Sequence, residues 1–394
     1  MMGLVATAVI KIRFFNITEM YELYLTEIHI IIIYYTYYSS VLIEDYLLKS
    51  PVRNNFLILS KYKVTLVFLF LFCCLFAEEI PNRLTPGDTI IFVAPSGGLD
   101  NKRISRAKRR LEKRGYIVLY ADDLLRSHGY LGGTDDRRVE EFMDAWKNPN
   151  VKAIFPGTGG YGTTRILDKI DFNMIKENPK ILVGFSDITG LHLAINKMAE
   201  LITFHTPSPM YGLGSIGNLS PVSDHYFWKA IEQDNPNGYI IDVKPFDLDE
   251  SIIPLHGGKG RGELIGGNLS LINTLMGTPY EIETDGKILF IEDVGEAPYR
   301  IDRYLSQLRL AGKLDNLKGV ILGKFTRRAD EPPDDKNSFS MMEVLEQYFS
   351  HLGVPVLANF PIGHHKYNIS LPIGILAELD ADKQIIQILH NPTK

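Results

Sequence analysis

From Thr85 onward, short apolar runs alternate with amphipathic stretches. "TIIFVA" (Thr89 to Ala94) has the length and composition of a buried strand, and it closes in the small-residue turn "PSGG". "NKRISRAKRRLEKRG" follows, with Ile104, Ala107 and Leu111 at helical spacing and Gly115 as the stop. Its many Lys and Arg residues read as the solvated face of an amphipathic helix rather than as a phosphate site. "YIVLYADD" is a second strand, and "TDDRRVEEFMDAWKN" is a second helix with Thr134 as its cap. "VKAIFP" is a third strand that runs into the glycine loop "GTGGYGTTR", and a helix through Ile166 and Leu167 is expected next. The fourth strand, Ile181 to Val183, breaks at Gly184-Phe185-Ser186-Asp187, where a helical pattern starts at once. Strands and helices alternating with short loops predict a parallel sheet covered on both faces. Such sheets hold ligands off the C-terminal ends of their strands, and both the glycine loop and the serine corner fall at that edge.

The alternation stops in "FHTPSPMYGLGSIGNLSP", where Pro, Gly and Ser crowd together. The pattern therefore predicts an α/β chain in three parts: a parallel-sheet domain over 81–212, a linker over 213–256, and a strand-rich α+β domain over 257–394. In the last part Ser340 opens a helix, with Glu343 placed to complete a capping box. "PVLANFPIGHHKYNISLPIGILAELDADKQIIQIL" alternates as β-structure around turns, and "RRADEPPDDKNS" reads as a solvated loop.

Residues 1–80 have a different texture. "HIIIIYYTYYSSVLI" is apolar and aromatic without a helical stripe. In "KYKVTLVFLFLFCCLFAEEIP", Lys61 and Lys63 precede an apolar run from Val64 to Ala77, and acidic residues follow it. The run is short for a membrane span and suits the core of a secretory signal, with a cleavage site after Phe76-Ala77. A signal belongs at an N-terminus, so the expectation is a later translation start or, more blandly, a signal-anchor or non-native upstream sequence. Use of segment 61–77 would mean export or membrane tethering; otherwise the protein stays in the cytoplasm. Phe72 stands where a lipidation site at Cys73 or Cys74 would need a small residue.

Composition adds limits. A chain of 394 residues, 45% hydrophobic and 23% charged, is long and apolar enough for two cores. A net charge of -5 gives no reason to expect nucleic acid as a partner. The two cysteines are neighbours, so the rest of the chain has neither a disulfide nor a thiolate metal site.

The serine corner raises the question of chemistry. A strand-to-helix elbow projects its side chain above the sheet and leaves free N–H groups at the helix start. Gly184-Phe185-Ser186-Asp187 has the first half of a nucleophile elbow but ends in Ile188 rather than Gly. Ser186 or Asp187 as a simple helix cap is the bland reading. A serine nucleophile needs a base in hydrogen-bond reach, a group that orients the base, and donors for an oxyanion. The glycine loop can supply the donors, with N–H groups of Gly159 or Gly160 joined by that of Asp187. Gly157, Gly159 and Gly162 also satisfy G-x-G-x-x-G, which permits dinucleotide binding. That motif normally follows the first strand of its unit, and here it follows the third. Among ten histidines, His364 and His365 in a turn and His205 after a strand are candidate bases, while His192 sits on the helix after the serine. Glu292, after the apolar run Ile288 to Ile291, is a candidate orienting carboxylate, with a salt bridge to Arg300 or Arg303 as the alternative. Glu296 competes with it. The His-His pair comes with no H-E-x-x-H, so no metal is expected.

Taken together, "GTGGYGTTRILDKIDF", "ILVGFSDITGLHLA", "GGNLSLINTLMGTPY", "LFIEDVGEAPYRIDRYLSQL" and "PIGHHKYNISLPIG" resemble the motif blocks of the serine LD-carboxypeptidases, the muramoyltetrapeptide carboxypeptidase family. The resemblance runs in the family's order from about Pro86 to Ile388. It implies Ser186 as nucleophile, Glu292 as triad carboxylate and His364 rather than His365 as base. It also implies a Rossmann- or flavodoxin-like first domain, a β-rich second domain, a homodimer and, for most members, a cytoplasmic location. The expected activity is release of terminal D-alanine from a murein tetrapeptide, without a cofactor. Tyr161, Asn268 and Met276 are expected to contact the peptide. The family usually carries Arg where this chain has Thr158. It also includes microcin-immunity peptidases, which cleave peptidyl-nucleotide amides and stack the base on an aromatic in the block where this chain offers Met276. That difference favours the cell-wall peptide.

Overall fold

The computed structural model describes residues 79–327 and 337–394. The signal-like segment 61–77, the apolar residues before it, and most of the charged loop after Arg327 lie outside the described residues. Among the described residues no helix is long and apolar enough to cross a membrane.

The first sheet contains β1 (Thr89–Val93), β2 (Ile117–Leu119), β3 (Val151–Pro156), β4 (Ile181–Gly184) and β5 (Thr203–His205). They run parallel in the order β2-β1-β3-β4-β5. This is the order of a flavodoxin-like sheet, whose direction of winding reverses between β1 and β3. The central strands are buried along almost their whole length, because helices cover both faces. Helix α1 (Asn101–Lys113) buries Ile104, Ala107 and Leu111, as their spacing predicts, and Asp100 caps it. Helix α2 (Asp135–Lys147) is capped by Thr134 and buries Phe142 and Trp146.

Three expectations about local structure are corrected. The basic residues of α1 are not simply a solvated face. Arg106 donates to the Gly214 carbonyl at 2.8 Å, Arg110 donates to the Ser215 carbonyl at 2.8 Å, and Arg103 lies over the Tyr211 ring. Arg106 and Arg110 thus satisfy carbonyls of a loop that has no ladder of its own. The helix expected through Ile166 and Leu167 is two 3-10 turns, Thr163–Arg165 and Leu167–Lys169. Asp171 then caps a new short helix, α3 (Phe172–Glu177), with its side chain. Finally, the stretch 213–256 is not a plain linker. After α4 (Thr189–Ala199), it carries α5 (Pro221–Ile231), β6 (Tyr239–Ile241) and β7 (Ile253–His256).

The second sheet has eight strands, in the order β6, β14 (Ile385–Ile388), β13 (Leu376–Asp380), β8 (Lys259–Asn268), β9 (Ile288–Val294), β10 (Gly319–Thr326), β11 (Val356–Ala358) and β7. Its centre is parallel: β8, β9, β10 and β11. Helices α6 (Leu269–Leu275), α7 (Pro298–Leu310) and α8 (Met341–Phe349) connect these strands, and Ser340 with Glu343 forms the capping box of α8. β6 and β7 form the two outer edges, so the stretch 213–256 begins and ends this sheet.

One strand changes sides. β12 (Leu371–Ile373) pairs antiparallel with β5 and extends the first sheet. β13 (Leu376–Asp380) and β14 (Ile385–Ile388) then return to the second sheet. Residues 359–370 therefore cross from β11 in one sheet to β12 in the other, carrying both candidate turn histidines with them.

Candidate active site

The serine corner is an elbow with a strained backbone. Ser186 adopts φ of +63°, in the left-handed region that a non-glycine residue rarely visits. Such a residue costs about 1–3 kcal/mol and persists only where its surroundings over-determine it. The strand end is held by His192, which is fully buried on α4 with Nε2 3.0 Å from the Gly184 carbonyl. Burial pushes the His192 pKa down to about 3, so its ring is neutral and donates. Neither Ser186 nor Asp187 caps a helix with its side chain.

His364 reaches this elbow from the crossing segment. Its Nε2 lies 2.9 Å from Ser186 Oγ, and its Nδ1 lies 2.7 Å from Glu292 Oε2. Gly363, just before it, has φ of +99°, and a Cβ there would stand 2.7 Å from Glu292 Cβ. Only glycine lets the backbone pass so close to the carboxylate. Phe185 packs on the His364 ring at 4.9 Å between centroids.

Glu292 is fully buried on β9. Burial alone would raise its pKa, but the neighbouring His364 and the hydrogen bond to it outweigh burial and hold the carboxyl below its usual range. An ionised carboxylate only accepts, so the proton on the imidazole sits at Nδ1. Nε2 then accepts from the Ser186 hydroxyl. The salt bridge that Glu292 could have made goes elsewhere, since Arg300 pairs with Glu296 at 3.2 Å.

The glycine loop faces the elbow from the switch point of the sheet. A Cβ on Gly159 would lie 2.8 Å from Ser186 Cβ and 3.1 Å from the Asp187 nitrogen. The Gly159 carbonyl accepts from Gly97 N at 3.1 Å, so the N–H of Gly160, on the same peptide plane, points the opposite way. Gly162 abuts the buried Arg138 guanidinium, and Gly157 abuts the Leu99 side chain. Two of the three motif glycines are thus filled by protein, and 3-10 turns follow them instead of a helix N-terminus.

Serine, histidine and loop border a cavity of about 1200 Å³ whose lining includes Thr158, Tyr211, Asp293, Arg327 and Asn368. The other expected contacts are placed differently. Asn268 lines the cavity, yet its Nδ2 is engaged with Glu292 Oε1 at 3.2 Å and Asp293 Oδ1 at 3.1 Å. It holds the carboxylates rather than offering that group to a substrate. Tyr161 is half exposed and packs edge-on against Tyr130, outside the cavity lining. Met276 ends α6 and packs against the core, also outside that lining. His205 is fully buried between Phe185 and Phe290, and burial pushes its pKa down to about 4. His365 turns to Tyr367 and joins neither Ser186 nor Glu292.

Sequence reasoning passed over Asp293, Ser270 and Ser96. Asp293 accepts from Ser270 Oγ at 2.6 Å and Ser270 N at 2.9 Å, and burial together with Glu292 pushes its pKa up to about 6. Its signal was present, as a second acid beside Glu292 at the end of an apolar strand. Ser96 carried none beyond membership of a small-residue turn.

Comparison with known proteins places this architecture. The model of the LD-carboxypeptidase N-terminal domain matches residues 90–206, and that of the LD-carboxypeptidase C-terminal domain matches residues 261–379. The chain belongs to the LD-carboxypeptidase family, and it is a peptidase. It is 40% identical over 302 residues to the probable murein peptide carboxypeptidase of Bacillus subtilis, covering 76% of this chain and 91% of that protein. The crystal structure of muramoyltetrapeptide carboxypeptidase from Oxalobacter formigenes superposes with a TM-score of 0.65 at 29% identity, covering 76% of this chain and 97% of that one. The microcin C7 self-immunity protein MccF in complex with aspartyl sulfamoyl adenosine gives 0.73 at 26% identity, over 80% of this chain and all of that one, 100%.

Proposed function

We propose that this protein is a serine carboxypeptidase that cuts the amide between an L-configured centre and a terminal D-amino acid, releasing D-alanine from a murein tetrapeptide. The observation that carries this reading is the unbroken chain Ser186 Oγ, His364 Nε2, His364 Nδ1, Glu292, with links of 2.9 and 2.7 Å. The similarity to a murein peptide carboxypeptidase over most of both chains supports the substrate class.

The residues divide the work as follows. Ser186 attacks the amide carbonyl while His364 takes its proton at Nε2. Glu292 keeps the imidazole in the productive tautomer and offsets its positive charge once it is protonated. The N–H groups of Gly160 and Asp187 receive the oxyanion. His364 then gives its proton to the leaving amine, and the terminal amino acid departs. Water attacks the acyl-enzyme with His364 again as base, which restores the serine hydroxyl. The cavity exceeds the space a single terminal residue needs, in keeping with a substrate that keeps several residues on the acyl side.

The test is incubation of the purified full-length chain with a synthetic murein tetrapeptide, with mass spectrometry for tripeptide and free D-alanine. Ser186→Ala is expected to abolish release while leaving the circular dichroism spectrum and Tm unchanged. Unchanged turnover in that variant would overturn the serine mechanism. An aminoacyl sulfamoyl adenosine in a parallel arm decides the substrate class: cleavage of it alone would favour a peptidyl-nucleotide substrate.

A further inference from the structure

Asp187 takes part in the proposed mechanism only through its backbone N–H, yet one oxygen of its buried side chain holds two partners, while Oδ1 accepts from none among the described residues. The carboxylate is 1% exposed. Its Oδ2 accepts from Ser96 Oγ at 2.6 Å and from Thr163 N at 2.9 Å, and the Asp187 carbonyl accepts from Thr163 Oγ1 at 2.7 Å. Asp187 and its two partners follow three different strands. Ser96 comes after β1, Thr163 closes the glycine loop after β3, and Asp187 itself follows β4. A carboxylate in so dry a place is costly to bury, and no cation pairs with it among the described residues.

The contacts bear on both oxyanion donors. One donor is the Asp187 N–H itself. The other is the N–H of Gly160, whose peptide plane is turned by the bond from Gly97 N to the Gly159 carbonyl at 3.1 Å. Gly97 adjoins Ser96, which Asp187 holds, and Thr163 adjoins Gly162 at the other end of the same loop. Gly159 has no slack, since even a Cβ would meet Ser186. Displacement of the Ser96-Gly97 segment or of Thr163 would therefore rotate or shift the donor peptide.

We propose that the Asp187 side chain is a positioning residue, which locks the turn after β1 and the glycine loop to the serine elbow and thereby sets the spacing of the two oxyanion donors. The proposal rests on the serine peptidase reading. It excludes a direct part in proton transfer, because the carboxylate faces Ser96 and Thr163 and not the imidazole.

The experiment compares Asp187→Ala, Asp187→Asn and Ser96→Ala with the full-length wild type on the same tetrapeptide. Donors shifted by a fraction of an ångström to one ångström cost about 10- to 100-fold in rate. The expected result is that loss in kcat for Asp187→Ala and a smaller loss for Ser96→Ala, with KM within twofold. Asp187→Asn, which keeps an acceptor oxygen facing Ser96 and Thr163, is expected to recover much of the activity. A peptide boronic acid, which places a tetrahedral oxygen in the same donors, is expected to weaken by the same factor as kcat. A folded Asp187→Ala with wild-type kcat, or a loss confined to KM, overturns the proposal. Where Asp187→Ala does not fold, Ser96→Ala decides, and a kcat equal to wild type overturns it. Wild-type release of D-alanine scores the peptidase reading separately; its absence would sink that reading and this one together.

Discussion

Glu292→Gln changes one atom and tests the proposed mechanism at its most buried point. Oε2 receives the His364 Nδ1 proton at 2.7 Å, and Oε1 receives Asn268 Nδ2 at 3.2 Å. Asn268 cannot turn over to suit a new neighbour. Its Oδ1 accepts from Leu271 N at 3.3 Å, and its Nδ2 also donates to Asp293 Oδ1 at 3.1 Å. A glutamine amide therefore has two choices. With its oxygen toward His364, its NH2 confronts the Asn268 NH2, and a buried donor goes unmet at a cost of about 1–3 kcal/mol. With its NH2 toward His364, Nδ1 must accept, the ring proton moves to Nε2, and the base is lost. The second orientation avoids the penalty, so only about one molecule in 5 to 150 keeps the productive tautomer. Even that fraction lacks the negative charge that offsets the imidazolium, worth up to about 4 kcal/mol at this range and an effective dielectric of 20. The combined loss is about 10³- to 10⁴-fold in kcat, with little change in KM. Stability is expected to fall modestly, because a carboxyl held below its usual range stabilises the fold when ionised and a neutral amide loses that contribution. The assay is D-alanine release under saturating tetrapeptide, with Tm from the same preparation. A Glu292→Gln enzyme that keeps kcat within about tenfold of wild type would refute the assignment of Glu292 as the orienting group.

Other outcomes follow from the same geometry. Gly159→Ala places a Cβ 2.8 Å from Ser186 Cβ and 3.0 Å from its Oγ, so either loop or nucleophile must move; a kcat loss of about 10²-fold is expected, and wild-type turnover would show that the loop does not form the oxyanion site. Asp293 has its pKa raised to about 6 by burial and by Glu292. An acid with a raised folded-state pKa favours the folded state most at low pH, and that advantage is lost as pH rises from about 4 to about 6. Relative to Asp293→Asn, the wild type is expected to lose up to about 3 kcal/mol across that window, read from urea unfolding at each pH; a parallel pH dependence in the two proteins would contradict it. EDTA is expected to leave turnover unchanged, and inactivation by EDTA that zinc reverses would replace the serine mechanism with a metal one. Calorimetric titration with NAD is expected to show no binding, since Leu99 and Arg138 occupy the space beside two of the loop glycines.

Much of the architecture is legible in the chain because it is local. The strand "VKAIFP" is β3 residue for residue, Thr134 and Ser340 cap the helices they precede, and the apolar run that breaks at Gly184 becomes the elbow. Each depends on neighbours a few positions away, through burial period, side-chain capping or backbone freedom. Where propensity was even, the local reading failed. Ile166 and Leu167 suited a helix, but both had to face inward, and 3-10 turns achieve that.

What the sequence determined by itself was the set of elements and the residue types able to do the chemistry, with the family's motif blocks naming Ser186, Glu292 and His364 among several candidates. Tertiary structure decided which of those candidates meet. Residues 359–370 cross between sheets because β11 pairs in one and β12 in the other, and that crossing carries His364 to Ser186 while His365 turns away. The same long-range pairing made edge strands of the stretch expected to be a linker, and brought Asn268 Nδ2 to Glu292 while the residue still lines the cavity. Pairings between residues far apart in the chain depend on the whole core closing at once, and no short window of sequence contains them.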